Sequence, residues 1–160
     1  MFFFKQDHLL PAAYAKFINT IKTKEASKLF IEYEQCSYRR KQEIVAAIVN
    51  WELELFQIEN PKFYSIEDID IQLILSKRIF LYYVSQKFFG LGYFIKNNLH
   101  KLCDVPVTIV QGQKDKITPI SVAYDIKSEL LKANIIAMPN VGHIGRVITK
   151  RFYDEVNKFI

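Results

Sequence analysis

Val105-Pro106-Val107-Thr108-Ile109-Val110-Gln111-Gly112-Gln113-Lys114-Asp115 is where the 160-residue chain changes character. The β-branched run from Val107 to Val110, stopped by Gly112, reads as a short buried parallel strand. Downstream, Pro119 opens a helical segment with Ile120, Ala123, Ile126 and Leu130 on one face. Asn134-Ile135-Ile136-Ala137-Met138 is a second strand, stopped by Pro139-Asn140. Gly142-His143-Ile144-Gly145 is then a loop, and 147–160 a terminal helix. Strand, helix, strand, helix implies a parallel α/β unit with a right-handed crossover. Two strands alone make a poor sheet. The unit needs more strands, and this sequence does not hold them.

Upstream, residues 1 to about 100 read as helical. Pro11 opens a segment in which Ala12, Ala13, Tyr14, Phe17, Ile18 and Ile21 recur at helical spacing. Helical patterns follow over 26–38 and 40–57, the latter with Ile44, Ala47, Ile48, Trp51 and Leu55 in one stripe. Asn60-Pro61 breaks the pattern, 66–75 and 77–89 resume it, and Gly90-Leu91-Gly92 ends it. The expectation is a helical region over 1–100 and a parallel α/β segment over 101–160.

Composition narrows the function classes. Half of the residues are hydrophobic and 14% are aromatic, enough for a core and incompatible with intrinsic disorder. Two cysteines without a CxxC make neither a disulfide framework nor a zinc site, which fits a reducing, cytoplasmic setting. The net charge of +5 is spread: residues 1–100 hold 13 basic and 11 acidic side chains, and 101–160 hold 9 and 6. No nucleic-acid footprint is expected, and the one basic triplet, Arg39-Arg40-Lys41, reads as a solvated helix face. Met1-Phe2-Phe3-Phe4 runs at once into Lys5 and Asp7, unlike a signal peptide. The stretches 44–51, 79–86 and 88–95 all fall short of the roughly 20 residues that span a bilayer. No phosphate loop, metal cluster or cofactor motif is present, so no cofactor is expected.

Asp115 and His143 each lie just past the end of an expected strand. The carboxyl ends of parallel strands are where α/β folds place their sites. An Asp there can orient an imidazole and stabilise its charged form, leaving the His as a general base. The alternative is that Asp115 caps the helix near Pro119 and His143 fills a turn. His8 and His100 have no acidic partner at useful spacing and read as surface residues.

The series from Val105 to Asp115, then Pro119, then Met138-Pro-Asn-Val-Gly-His143, resembles the C-terminal end of an α/β-hydrolase. Leu10-Pro-Ala-Ala-Tyr-Ala-Lys-Phe17, Asn50-Trp51-Glu52, and Lys77-Arg-Ile-Phe-Leu-Tyr-Tyr83 leading to Gly92-Tyr-Phe94 are similar to the helical cap and following core of the proline iminopeptidases, or prolyl aminopeptidases. The resemblance covers nearly the whole chain. It implies an incomplete α/β-hydrolase, a cap followed by the last β-α-β-α core segment, from a family that removes an N-terminal proline from peptides. By it, Asp115 and His143 match the triad acid and base, and Glu52 a cap glutamate that receives the substrate's ammonium, as a paired carboxylate suits. The other reading of Glu52 is a helix-surface acid, and Trp51 can be simple core.

The departures matter as much. Gly occurs only at 90, 92, 112, 142 and 145, and no pair brackets a Ser, so the Gly-x-Ser-x-Gly nucleophile is missing. The oxyanion-hole loop and early strands are missing too. Phe80 follows Arg78-Ile79 where the family carries a second cap carboxylate, and Gln113-Lys114 replaces its Arg-Tyr. Cys103 precedes the strand, at the end away from the site, and reads as a small buried apolar residue. Two function classes follow. One is an aminopeptidase part, inactive alone, that completes its site with a separate N-terminal hydrolase half. The other is a non-catalytic remnant or a cap-derived binding module.

Overall fold

A computed structural model of the chain describes residues 8–56 and 61–158. The Met1–Phe4 run, Gln57, Asn60 of the Asn60-Pro61 break and Ile160 lie outside these residues. The described chain falls into two compact units, residues 8–55 with 61–91, and residue 56 with 92–158. It is mixed α and β, mostly helical with one small parallel sheet. Among the described residues no helix is long and apolar enough to cross a membrane.

The first unit is helical. Helix α1 (Pro11–Ile21) begins on a proline, whose missing N–H costs nothing at a helix start, and buries Tyr14, Phe17 and Ile21. Helix α2 (Ala26–Gln35) buries Leu29 and Tyr33. It stops before the expected Tyr38 because Ser37 starts the next helix, accepting the Arg40 N–H on its hydroxyl at 3.2 Å. Helix α3 (Tyr38–Phe56) buries the stripe Ile44, Ile48, Trp51 and Leu55. Trp51 is core: Phe17 stacks on it at 5.7 Å and Tyr14 meets it edge-on at 5.6 Å. Arg40 departs from the expected solvated face. It donates to Glu32 of α2, Glu43 of its own helix and the Thr20 carbonyl of α1, so it ties three helices together.

The two helices expected over 66–75 and 77–89 are one, α4 (Ile71–Ser85). Its start is set by Asp70, whose side chain accepts the Leu73 N–H at 2.8 Å, and nothing at Ser76 interrupts it. It also ends earlier than expected, because the backbone turns left-handed from Lys87 to Gly90, with φ of 50 to 71°. The glycines do not end the helical region: α5 (Leu91–Asn98) follows directly, and a 3-10 turn over Leu99–Leu102 follows that. Gly92, with negative φ, is simply a residue of α5.

In the second unit, β1 (Val107–Gly112), α6 (Ile120–Glu129), β2 (Ala133–Met138) and α7 (Arg146–Val156) succeed one another. The strands are parallel, with Ile109 opposite Ile135 and Gly112 opposite Met138. Both helices pack on the strands. The sheet has two strands among the described residues, so each has one edge without a strand partner. Strand residues from Val107 to Gln111 stay half-buried.

Candidate functional site: an acid–histidine pair at the strand ends

The site is built where the two strands end together. Beyond β1 the Gln113 N–H donates to the Met138 carbonyl at 3.0 Å and the Lys114 N–H to the Val141 carbonyl at 2.8 Å. These bonds lash the 112–115 turn to the 138–142 turn. Gly112 lies under the second turn so closely that a Cβ there would stand 2.4 Å from the Val141 carbonyl oxygen. Its hydrogen is needed for that approach, not for any unusual φ. Gly145 is at φ 145°, a conformation other residues avoid, and turns the chain from His143 into α7.

Asp115 is buried, with its side chain 2% exposed. Five donors meet its carboxylate. Oδ1 accepts the N–H groups of Ile117 and Thr118 at 2.8 and 2.9 Å. Oδ2 accepts the Thr118 hydroxyl at 2.7 Å and the Gln111 amide at 2.8 Å, and lies 2.8 Å from His143 Nδ1. Burial pushes the carboxyl up, but the Thr118 hydroxyl and N–H, the His143 ring and the Gln111 amide outweigh it and hold it below the usual carboxylate range. Asp115 therefore stands as an anion at neutral pH.

This decides the imidazole's tautomer. An ionised carboxylate can only accept, and the single Thr118 hydroxyl proton is already given to Asp115. Nδ1 of His143, 3.2 Å from that hydroxyl, must be the N–H that donates to Asp115. The neutral ring then carries its lone pair on Nε2, the arrangement a general base requires. The Phe56 ring stacks on the imidazole at 5.5 Å. His143 also lines an open cavity of about 250 Å³, with Val110, Ile144, Ile148, Phe152 and Tyr153.

The structure thus brings Asp115 and His143 together. Asp115 does not cap α6, which begins after Pro119 with no side-chain cap; it organises the 115–118 turn while holding the histidine. Glu52 is in the first unit, largely buried on α3, and its carboxylate is ion-paired with Lys77 of α4. Burial pushes the Glu52 carboxyl up, against the pull of Lys77. The pair leaves Glu52 with its charge already matched. Cys103 is exposed, not buried as expected, because it follows the surface 3-10 turn ahead of β1. Six strand residues at about 3.3 Å each separate it from the acid–histidine pair. His8 and His100 are exposed. Gln111 and Thr118 are part of the site beyond the residues that the sequence pattern singles out. Their side chains carry no signal until the turn brings them to Asp115.

Comparison with protein-family models and with curated proteins found no match.

Proposed function

We propose that these residues form the acid–base half of a serine hydrolase of the prolyl aminopeptidase kind, an α/β-hydrolase core segment that follows a helical cap in sequence. The observation that carries this reading is the Asp115–His143 pair at the carboxyl ends of two parallel strands, with Nδ1 committed to the acid. In that role Nε2 takes the proton of an attacking serine and returns it to the leaving amine, while Asp115 stabilises the imidazolium formed between. The serine and the oxyanion donors come from outside the 160 residues, whose glycines bracket no serine. Glu52, which the resemblance matches to the acid that receives the substrate's ammonium, is paired with Lys77 in the first unit, and an ammonium bound there has to displace Lys77.

The test is hydrolysis of a prolyl anilide by the chain alone and after mixing with a separately made hydrolase half carrying Gly-x-Ser-x-Gly. The reading expects no release from the chain alone, release from the mixture, and loss of that release in His143→Ala. Release from the chain alone that is lost in His143→Ala would place a nucleophile within it and overturn the division of labour.

A second reading, a non-catalytic remnant or binding module, is favoured by the Glu52–Lys77 pair, which supplies the carboxylate with a cation of the protein's own. Mixtures that fold and associate yet never hydrolyse the anilide support it.

A further inference from the structure

The first unit holds a cavity of about 500 Å³ that the acid–histidine pair does not use. That volume is within the range of small-molecule sites, roughly 300–1,000 Å³. Three pieces of chain wall it. Helix α1 contributes Lys16 and Phe17, helix α3 contributes Ala47, Trp51 and Glu54, and the segment after Pro61 contributes Phe63. Ala13, Lys16 and Thr20 of α1 stand three and four positions apart, as do Ala47, Trp51 and Glu54 of α3, so each set lines one side of its helix.

The third wall is fixed in place. Asn50 of α3 donates its side-chain amide to the Tyr64 carbonyl at 2.8 Å and accepts the Tyr64 N–H at 2.7 Å. The Ser65 N–H and hydroxyl both go to Asp68. The segment is therefore held to α3 before any ligand arrives, which lowers the ordering cost of binding.

The charges are distributed unevenly. Glu43, also in the lining, is engaged by Arg40 at 3.1 Å. Glu54 and Lys16 make no side-chain hydrogen bond or ion pair among the described residues, either with each other or with a neighbour. One uncommitted carboxylate and one uncommitted ammonium thus stand on different helices around aromatic walls. A ligand of matching chemistry has an ammonium, a carboxylate and an apolar body between or beside them.

We propose that this cavity binds a small zwitterion with an apolar body, of the size of an amino acid or dipeptide. Glu54 takes its ammonium, Lys16 its carboxylate, and Phe17, Trp51 and Phe63 its apolar part. The site is independent of the acid–base reading, since it shares no residue with Asp115 or His143 and its test involves no hydrolysis.

Trp51 is the single tryptophan of the chain and lines the cavity, so every change in tryptophan emission arises at a residue of this wall. The probes are L-phenylalanine and L-phenylalanyl-L-leucine, titrated into the full chain with excitation selective for tryptophan. Phenethylamine and 3-phenylpropionate, each lacking one charge, are the comparison. The proposal expects a saturable change with at least one zwitterion and binding weaker by about tenfold or more for both singly charged probes, about 1.4 kcal/mol. Glu54→Gln and Lys16→Met are expected to weaken zwitterion binding by a similar factor, with an unchanged circular dichroism spectrum confirming that each variant is folded. No saturable change with either zwitterion up to about 10 mM, weaker than a millimolar site, overturns the proposal. Equal binding of charged and singly charged probes, or variants that bind as the parent does, overturns it too.

Discussion

Gly112 passes beneath the carbonyl of Gly142 so closely that a methyl group on Gly112 would lie 2.3 Å from that oxygen. The contact is backbone against backbone, so no side chain can swing aside to relieve it. Gly112→Ala is expected to force apart the two turns that carry Asp115 and His143. Overpacking of this kind costs about 1–3 kcal/mol. Denaturant unfolding should register the loss, and the histidine ring proton bound to Asp115 should disappear from the downfield proton spectrum. A variant as stable as the parent, with that signal intact, would show that the turns are not locked together here.

Asp115→Asn replaces an anion that receives five donors with an amide that must present its own N–H groups to some of them. The expected cost at neutral pH is about 2–4 kcal/mol, since hydrogen bonds to a charged group are worth about 1.5–3 kcal/mol and a buried mismatch adds to the loss. The pH dependence has a definite sign. The folded carboxyl is held below its unfolded value, so the folded state gains from its ionisation above the unfolded value, near 3.9, and loses that gain as pH falls through the folded one. The variant has nothing to titrate there. Its deficit against the parent should shrink in acid, below about pH 4, as measured by urea unfolding at stepped pH.

Whether a feature shows in the sequence depends on the range of the interactions that make it. β1 could be read because Val107, Thr108, Ile109 and Val110 declare a strand locally, and the Asp115–His143 spacing could be read because a strand–helix–strand unit fixes where its loops emerge. The stripe from Ile66 has helical spacing, yet α4 starts only at Ile71, because the deciding residue is Asp70, a cap three positions ahead of the N–H it satisfies. The Gly90 and Gly92 pair looked like a terminator, yet helix resumes at Leu91. Gln111, Thr118 and the close fit of Gly112 depend on where a second turn lies, which no local pattern encodes. The Glu52–Lys77 pair joins residues 25 apart on different helices, and only their packing reveals it.

Lys77→Met removes the cation from Glu52 and leaves a mostly buried carboxylate unpaired. Breaking such a pair typically costs about 3–5 kcal/mol. Burial already pushes the Glu52 carboxyl up, and without Lys77 it should rise further. A raised folded value means the stabilising form is the protonated one: stability is fully present below the unfolded glutamate value, about 4.3, and is lost as pH rises through the folded value. The variant's deficit should therefore be small near pH 4 and large at pH 7. A deficit independent of pH across that interval would mean that Lys77 acts through packing alone.

The isolated chain should self-associate. In the second unit β1 has one edge without a strand partner among the described residues, and a free edge is a template for pairing with another chain. In the first unit Ile71, Leu75 and Ile79 form an exposed stripe along α4, about half exposed or more. Sedimentation velocity across a concentration series should show growing oligomers. Thr108→Pro, which removes a β1 N–H, and Ile79→Lys should each shift the distribution toward monomer. A sharp monomer boundary at all concentrations would contradict this.

The tautomer of the His143 ring decides whether Nε2 can act as a base. A long-range proton–nitrogen correlation spectrum, taken at a pH where the ring is neutral, distinguishes the two nitrogens. Nδ1 should be protonated and Nε2 bare, because Asp115 accepts from Nδ1 at 2.8 Å and the Thr118 proton is already committed. In Asp115→Asn that preference should be lost. A parent ring protonated on Nε2, with a bare Nδ1, would rule out His143 as the base, since the nitrogen needed to accept a nucleophile's proton would then already carry one.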